Sequence, residues 1–244
     1  MLLLLALCSL SLLQPVQPSC PSGYTAAPNL TTCLSGSVAT DVNYCQCLKT
    51  CAQLGQRILQ PDTYAAVRLS LGEVWTGIND QLVERGSSPT GWQVVPNRAG
   101  SLLTLTDLWN TGQPDGTSIE DCVNHNPTTK KLHDAGCTAT IACRCEHPMG
   151  DERPVPAHYE LFVESPVVDF TQGAVGCTEK IALELPIELL CAGECREKLG
   201  CVGFYFNPLR RECVLLLYMD AAVSLSYSSP AEQAAWIKKI AVHM

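Results

Sequence analysis

The sequence WNTGQPDGTSIEDC, residues 109–122, is the stretch on which the interpretation of this chain depends. It lies within residues 82–134, a segment dominated by Gly, Pro, Asn, Asp, Ser and Thr. Because these residue types favour turns, we expect much of the segment to form loops that covalent cross-links hold in place. Gln113, Asp115 and Glu120 place one amide and two carboxylate groups within the stretch.

Two helices are predicted on the N-terminal side of this segment. Residues 45–59 are expected to form a helix with Leu48 and Cys51 on one side. A second helix is expected to begin near Pro61 and to end at Gly72. Proline suits the first turn of a helix, and glycine suits the position just past its end.

Cysteine is unusually frequent, with 15 residues in a chain of 244. Cys8 lies in the apolar N-terminal run, nine cysteines lie between residues 20 and 145, and five lie between residues 177 and 213. The even number that remains without Cys8 predicts a disulfide framework in an exported protein. The same pattern in the cytosol would indicate metal or redox chemistry.

The apolar run from Leu2 to Leu13 is broken at Pro15. It is too short for a membrane span, which takes roughly 20 residues, but it matches the apolar region of a secretory signal. A buried N-terminal helix is the alternative. We expect residues 1–19 to be a signal peptide and the product, which has no later membrane-spanning segment, to be secreted. Asn29 starts the one glycosylation sequon.

The charge and the motif content exclude several classes of function. The formal net charge is −8, and the basic residues form runs of at most two. Nucleic acid and anionic membrane surfaces are therefore not expected as partners. The sequence also lacks the Gly-x-Ser-x-Gly, His-Glu-x-x-His, phosphate-loop and dinucleotide-binding motifs, so we expect no catalytic activity.

The chain is expected to divide into a domain at residues 20–147 and a smaller domain at residues 169–244. Residues 148–168 carry four prolines and an acidic pair and are predicted to be a linker, because proline removes backbone donors. In the second domain, residues 189–199 are predicted to form a helix that ends at Gly200 and carries Cys191 and Cys195 on one face. Two strands, residues 202–206 and 214–218, are expected to follow.

Short motifs follow one another through the first domain in a fixed order. They are Cys20 with Cys33, Cys51-Ala52-Gln53-Leu54-Gly55, Trp75-Thr76-Gly77-Ile78, Trp92, Trp109, Gln113-Pro114-Asp115, Glu120-Asp121-Cys122, Cys137 and Cys145. This ordered set resembles the C-type lectin-like domain along its whole length. The resemblance implies a disulfide-rich α+β fold with a double loop, and the cysteine pairs Cys20–Cys33, Cys51–Cys145 and Cys122–Cys137.

The second domain resembles the PAN/apple domain. The motifs that carry this resemblance are Cys191-x3-Cys195, Cys201-x2-Phe204 and Cys213-Val214-Leu215. The resemblance implies a small α+β domain with the pairs Cys191–Cys213 and Cys195–Cys201. It also implies contacts with a protein or a glycan.

Four cysteines remain after these pairs: Cys45, Cys47, Cys143 and Cys177. One of the first two is expected to bridge to Cys143. Cys177 is then expected to bridge to Cys45 or Cys47 across the linker, or to a second chain in a disulfide-linked dimer. A zinc site formed by Cys45, Cys47, Cys143 and Cys145 is the competing interpretation, which export and the close spacing of the cysteines disfavour.

The first resemblance also implies a calcium-dependent carbohydrate site, in which two adjacent sugar hydroxyls complete the shell of oxygen ligands around Ca²⁺. The implied metal ligands are Gln113, Asp115, Glu120 and Asp134. Pro114 would form the bend between the first two, with a peptide bond that is usually cis in the family. The order Gln-Pro-Asp is similar to that of galactose-preferring members. The candidate carbohydrate contacts are these four ligands and His133.

Two features depart from the family pattern. The family's Trp-Asn-Asp is Leu132-His133-Asp134 here, and imidazole nitrogen is a poor ligand for calcium. The loop at residues 116–120 also lacks the aromatic ring on which galactose would stack. The first hypothesis is therefore a secreted, calcium-dependent carbohydrate-binding protein with galactose-type preference. The alternative is a calcium-independent protein-binding or matrix module that keeps the fold without a working sugar site.

Plainer interpretations of the same residues stay open. Residues 113–115 could form an ordinary turn, Glu120 and Asp121 a solvated edge, and His133 could lie in a surface loop. Three tryptophans are expected to pack in the core rather than to stack on a ligand: Trp75, Trp92 and Trp109.

Overall fold

A computed structural model describes residues 19–28, 30–80, 92–95, 106–116, 120–149, 161–165, 167, 176–219, 225 and 228–242. The predicted signal up to residue 18 and the predicted glycosylation site Asn29 lie outside these residues. The described chain forms a disulfide-rich mixed α/β fold with two units, residues 19–149 and residues 161–242.

None of the helices in the described part of the chain is long and apolar enough to span a membrane.

The first unit consists of two small sheets and two helices. Its elements are β1 (Tyr24–Ala26), β2 (Thr32–Ser35), β3 (Ala39–Val42), α1 (Tyr44–Gln53), β4 (Arg57–Ile58), α2 (Pro61–Val67), β5 (Val74–Asn79), β6 (Gln93–Val94), β7 (Cys122–Asn126), β8 (Lys131–Ala135), β9 (Ile141–Cys143) and β10 (Cys145–Pro148). One sheet has the strand order β1-β2-β10-β4. The other has the order β3-β9-β5-β7-β8, with β6 paired to β5.

Helix α1 begins at a capping box and ends at a glycine. The side chain of Asn43 accepts a hydrogen bond from the backbone N–H of Gln46, and the side chain of Gln46 accepts one from the backbone of Asn43. Gly55 has φ +67°, a left-handed conformation that turns the chain out of the helix. The predicted range of residues 45–59 was therefore too long, because its last residues turn into β4.

Helix α2 starts at Pro61, as predicted, and continues as a 3₁₀ turn over Arg68–Ser70. The loop-rich segment at residues 82–134 contains the two-residue strand β6, strand β7 and most of β8, which sequence patterning missed. Their residues include Asn124 and His125, which are buried although polar. The alternation of apolar and polar residues that marks a strand is therefore absent. The Asn124 amide donates to a carboxylate oxygen of Glu73 at 3.0 Å.

The core of the first unit is aromatic. Trp75, Trp92 and Trp109 are 0%, 0% and 3% exposed, so they pack in the core as expected. The rings of Trp92 and Trp109 lie 5.0 Å apart, and Tyr44 meets Trp75 edge-on at 5.4 Å.

The second unit is one antiparallel sheet crossed by a helix. Its elements are β11 (Leu161–Ser165), β12 (Thr178–Ala182), α3 (Glu188–Glu197), β13 (Cys201–Asn207), β14 (Glu212–Leu217), α4 (Pro230–Ala234) and β15 (Ile237–Val242). The strand order is β11-β15-β13-β14-β12. Helix α3 and strands β13 and β14 match the predicted elements within two residues at each end. Strand β11 falls inside the range predicted as linker, where it pairs with β15.

Seven disulfide bonds join the described cysteines. They are Cys20–Cys33, Cys45–Cys177, Cys47–Cys143, Cys51–Cys145, Cys122–Cys137, Cys191–Cys213 and Cys195–Cys201. Five of them join the pairs that the two resemblances imply. Since Cys177 bonds to Cys45, the expected alternative of a dimer through Cys177 is wrong. The zinc interpretation is also wrong, because its four cysteines are all oxidised and offer no thiolate.

The bridge between Cys45 and Cys177 lies where the two units meet. Cys177 and Met219 of the second unit are buried in the same apolar cluster as Cys47 and Trp75 of the first. The two units therefore share part of one core as well as a covalent bond.

Candidate functional site

Strand β8 and the turn after Trp109 build the candidate site together. The backbone N–H of Asn110 donates to the carbonyl of Leu132 at 3.0 Å, and the N–H of Leu132 donates to the carbonyl of Leu108 at 2.9 Å. This short parallel pairing holds the turn alongside the strand. Gln113 in the turn is thereby placed next to Asp134 in the strand.

The hydrogen bonds at Asp134 fix the turn in position. The backbone N–H of Asp134 donates to Gln113 Oε1 at 3.1 Å, and the backbone N–H of Gly116 donates to Asp134 Oδ2 at 2.9 Å. The peptide bond between Gln113 and Pro114 is cis. The turn at residues 113–116 is thus tied to β8 from both ends.

Three carboxylates converge at this place. One oxygen each from Asp115, Glu120 and Asp134 lies within 4.8 Å of the others. Asp115 is exposed, Glu120 is half-buried and Asp134 is buried. The structure therefore brings together all four residues implied as metal ligands.

One oxygen of the Asp134 carboxylate has no hydrogen-bond donor among the described residues. Asp134 Oδ1 is buried and accepts no hydrogen bond from any residue that the structure describes. Burial raises the pKa of the Asp134 carboxyl above its ordinary value, the hydrogen bond from Gly116 opposes this rise, and the nearby charge of Asp115 adds to it. A buried carboxylate oxygen ordinarily has a hydrogen bond, a proton or a cation as its partner.

The residues present fit a calcium ion. Ca²⁺ takes six to eight oxygen ligands, and carboxylates, amide carbonyls and water are all suitable. Asp115, Glu120 and Asp134 offer carboxylate oxygens, and Gln113 Oε1 retains a second lone pair beside its hydrogen bond to Asp134. Each of these donors is a hard oxygen, as calcium requires.

His133 is not part of this cluster. Successive side chains of a strand point to opposite faces, so His133 lies on the other face of β8 from Asp134. It is paired across the sheet with Asn124 of β7, and its Nε2 atom is buried. His133 therefore belongs to a partly buried strand, and the surface-loop interpretation is wrong.

The neighbouring acidic residues are also more buried than a solvated edge would be. Asp121 is 8% exposed, and its backbone carbonyl accepts a hydrogen bond from the N–H of Asp80 at 3.0 Å. Asp80 is itself buried. Sequence reasoning missed this buried acidic pair and the backbone donor of Gly116. No local pattern reveals either of them, because both depend on how distant segments pair.

No protein-family model matches the sequence, and no curated protein matches it. Among solved structures, a calcium-independent type II antifreeze protein matches 54% of this chain and 95% of its own, with 18% identity and a TM-score of 0.43. Human lithostathine matches 56% of this chain and 95% of its own, with 20% identity and a TM-score of 0.43. The carbohydrate-recognition domain of the human scavenger receptor C-type lectin matches 53% and 99%, with 18% identity and a TM-score of 0.41.

Proposed function

We propose that this chain is a secreted carbohydrate-binding protein that uses calcium and has no catalytic activity. The observation that carries the proposal is that the buried Asp134 Oδ1 lacks a described hydrogen-bond partner, in a residue whose carboxylate lies in a cluster with two more carboxylates. A cation would balance this charge and complete the coordination of that oxygen.

The protein side chains have separate tasks in this proposal. A bound Ca²⁺ ion would supply positive charge and open coordination positions for two adjacent hydroxyls of a sugar. Asp134, held by Gly116, would form the fixed wall of the site. Asp115 is exposed and would meet both the ion and the sugar. The order Gln113-Pro114-Asp115 favours a galactose-type ligand, through the resemblance given above.

The disulfide framework supports the secreted location in this proposal. All described cysteines are oxidised, a state that persists outside the cell and is rare in the cytosol.

Calorimetry with Ca²⁺ tests the metal, and retention on immobilised galactose and mannose tests the sugar. We expect the wild type to bind Ca²⁺ and to be retained on galactose until chelator is added. Asp115→Asn should weaken Ca²⁺ binding by about tenfold or more, since it removes one ligand charge. Asp107→Asn is the matched control, because Asp107 is exposed and lies outside the cluster.

Two outcomes would contradict the proposal. If the wild type shows no heat of Ca²⁺ binding, the cluster is not a calcium site. If Ca²⁺ binds but neither sugar retains the protein, the ion has a structural role and the galactose preference is wrong.

A second candidate function, protein binding by the second unit, rests on a different observation. Four aliphatic side chains at the start of α3 are strongly exposed: Leu185 54%, Ile187 45%, Leu189 73% and Leu190 41%. Contiguous exposed apolar residues of this kind mark interaction sites. Glu184 and Glu194 are exposed within four residues of this surface, so a partner with a basic rim would be favoured.

A pair of synthetic amphipathic helices tests this candidate. One has a leucine face with a lysine rim, and the other has the same face with a glutamate rim. We expect the lysine peptide alone to bind, and Leu189→Ser to weaken its binding. Equal binding of the two peptides, or binding unchanged in Leu189→Ser, would exclude this surface as a docking site for basic partners.

A further inference from the structure

A cleft of about 450 Å³ lies between the two units, beside the Cys45–Cys177 bridge. One wall is the outer side of α1, where Gln46, Lys49 and Gln53 follow the spacing of one helix face. The other wall comes from the second unit. The volume of the cleft is in the range of small-ligand sites, which often form where domains meet.

The second unit contributes an ion pair to the cleft. Lys198 Nζ lies 2.5 Å from Glu179 Oε1, and the two side chains are 42% and 40% exposed. The hydrogen bond to Glu179 raises the pKa of Lys198 and so favours the charged ammonium form. A carboxylate acceptor and an ammonium donor therefore stand side by side. Two adjacent hydroxyl groups of a ligand could meet both, one as donor and the other as acceptor.

Tyr218 contributes an aromatic ring to the same wall. Its φ is +70°, in the left-handed region that is rare for a bulky residue. The backbone N–H of Tyr218 donates to the carbonyl of Gly200 at 2.5 Å, and any side chain at Gly200 would collide with the ring. Backbone conformations of this cost are concentrated at ligand sites.

We propose that this cleft binds one saccharide unit without calcium. The ion pair of Glu179 and Lys198 would hold two adjacent hydroxyls, the ring of Tyr218 would cover the apolar face of the sugar, and Lys49 with Gln53 would close the site from α1. Such a ligand matches the lining, which combines one aromatic surface with closely spaced hydrogen-bonding groups. The proposal does not rest on the calcium cluster, which lies at a different part of the first unit.

Saturation-transfer NMR on the full chain in the presence of chelator tests this site. The probes are methyl β-galactoside, methyl α-mannoside and glucuronic acid, each titrated separately. We expect at least one of them to receive saturation. Glu179→Gln and Lys198→Met should each weaken its binding by about tenfold, the effect of losing a charged hydrogen bond. Lys180→Met is the matched control, because Lys180 is an exposed neighbour that pairs with Glu212 and does not line the cleft.

The outcomes separate this site from the calcium cluster. Asp115→Asn should leave the signal in chelator unchanged. Weakening in either cleft variant, with Lys180→Met unaffected, supports the proposal. It is overturned if no probe receives saturation in chelator, if both cleft variants bind as the wild type does, or if Asp115→Asn abolishes the signal.

Discussion

Besides the bridge from Cys45 to Cys177, α1 is joined to strands β9 and β10 by two disulfide bonds, and α3 is joined to strands β13 and β14 by two, but the two pairs are arranged differently. In α1 they run side by side, Cys47–Cys143 and Cys51–Cys145, to two positions of one short stretch. In α3 they diverge, Cys191–Cys213 to strand β14 and Cys195–Cys201 to the start of β13. The first arrangement is redundant, because either bond alone keeps the helix next to residues 143–145. In the second arrangement the bonded strand cysteines, Cys201 and Cys213, lie 12 residues apart in the sequence, so neither bond replaces the other.

Removal of both Cys47–Cys143 and Cys51–Cys145 should have the largest effect on stability. With one bond present, the other closes an additional loop of only about six residues and contributes about 2 kcal/mol. When both are removed, the remaining bridge to Cys177 leaves a loop of a few tens of residues open, and the combined loss should reach about 6 kcal/mol. Urea unfolding followed by tryptophan fluorescence measures it for the two single-pair variants and the double-pair variant.

A combined loss equal to twice the single loss would contradict redundancy. The variants replace both cysteines of a pair by alanine, so that no free thiol is left to reshuffle.

Removal of Cys191 and Cys213 should have an intermediate effect. With Cys195–Cys201 in place, this bond closes a loop of about 16 residues, which corresponds to about 3 kcal/mol, and no parallel bond replaces it. Trp236 is buried in the second unit and reports its unfolding. A loss smaller than that of a single pair in α1 would reverse the comparison.

Acidification from neutral pH to pH 5 should destabilise the first unit by about 2 kcal/mol. Burial is the main cause that lowers the pKa of His125 to about 4, and nearby Lys130 adds to it. Between pH 6.5 and 4 this histidine is charged in the unfolded chain and neutral in the folded one. The unfolded state then binds more protons, so the free energy of unfolding decreases as the pH is lowered. At pH 5 the loss relative to neutral pH is about 2 kcal/mol.

The variant His125→Gln should remove that slope. In the wild type, His125 Nδ1 lies 3.1 Å from the hydroxyl of Tyr64, and the variant also changes this hydrogen bond. The free energy of unfolding is therefore compared across pH within each protein. The described part of the second unit contains no histidine, and its unfolding signal should vary less. Equal slopes for wild type and variant would show that His125 is not the group that titrates.

The caps of the two helices should give the smallest effects. Asn43→Ala removes the capping box of α1 and should cost about 1 kcal/mol. Helix α3 starts at Ile187 without a side-chain cap, so Ile187→Asp should stabilise it by up to about 1 kcal/mol. Thermal unfolding of the two variants measures both shifts. Opposite signs support the comparison, and a stabilising Asn43→Ala would break it.

Sequence patterning found the elements whose signals are local. Pro61 marked the start of α2, and the spacing of Cys191 and Cys195 marked α3. Strand β11 was missed because its neighbours are prolines and because its partner β15 follows about 75 residues later in the chain, where no local pattern links the two. Strands β7 and β8 were missed because cross-strand partners, rather than apolar alternation, bury Asn124 and His125.

The candidate site was predictable in its composition and not in its geometry. The resemblance supplied Gln113, Asp115, Glu120 and Asp134. The register of β8 on β7 decides that Asp134 faces the turn and that His133 does not. A shift of one residue would exchange the two faces, and sequence alone could not fix that register.

The bridge from Cys45 to Cys177 turns the chain between them into a covalent ring with a sequence separation of 132. The whole proline-rich range of residues 148–168 lies inside this ring. A protease that cuts there would open the ring without releasing either half. The clipped protein would migrate as one band on a non-reducing gel and as two bands after reduction, and both candidate binding faces would stay on one particle.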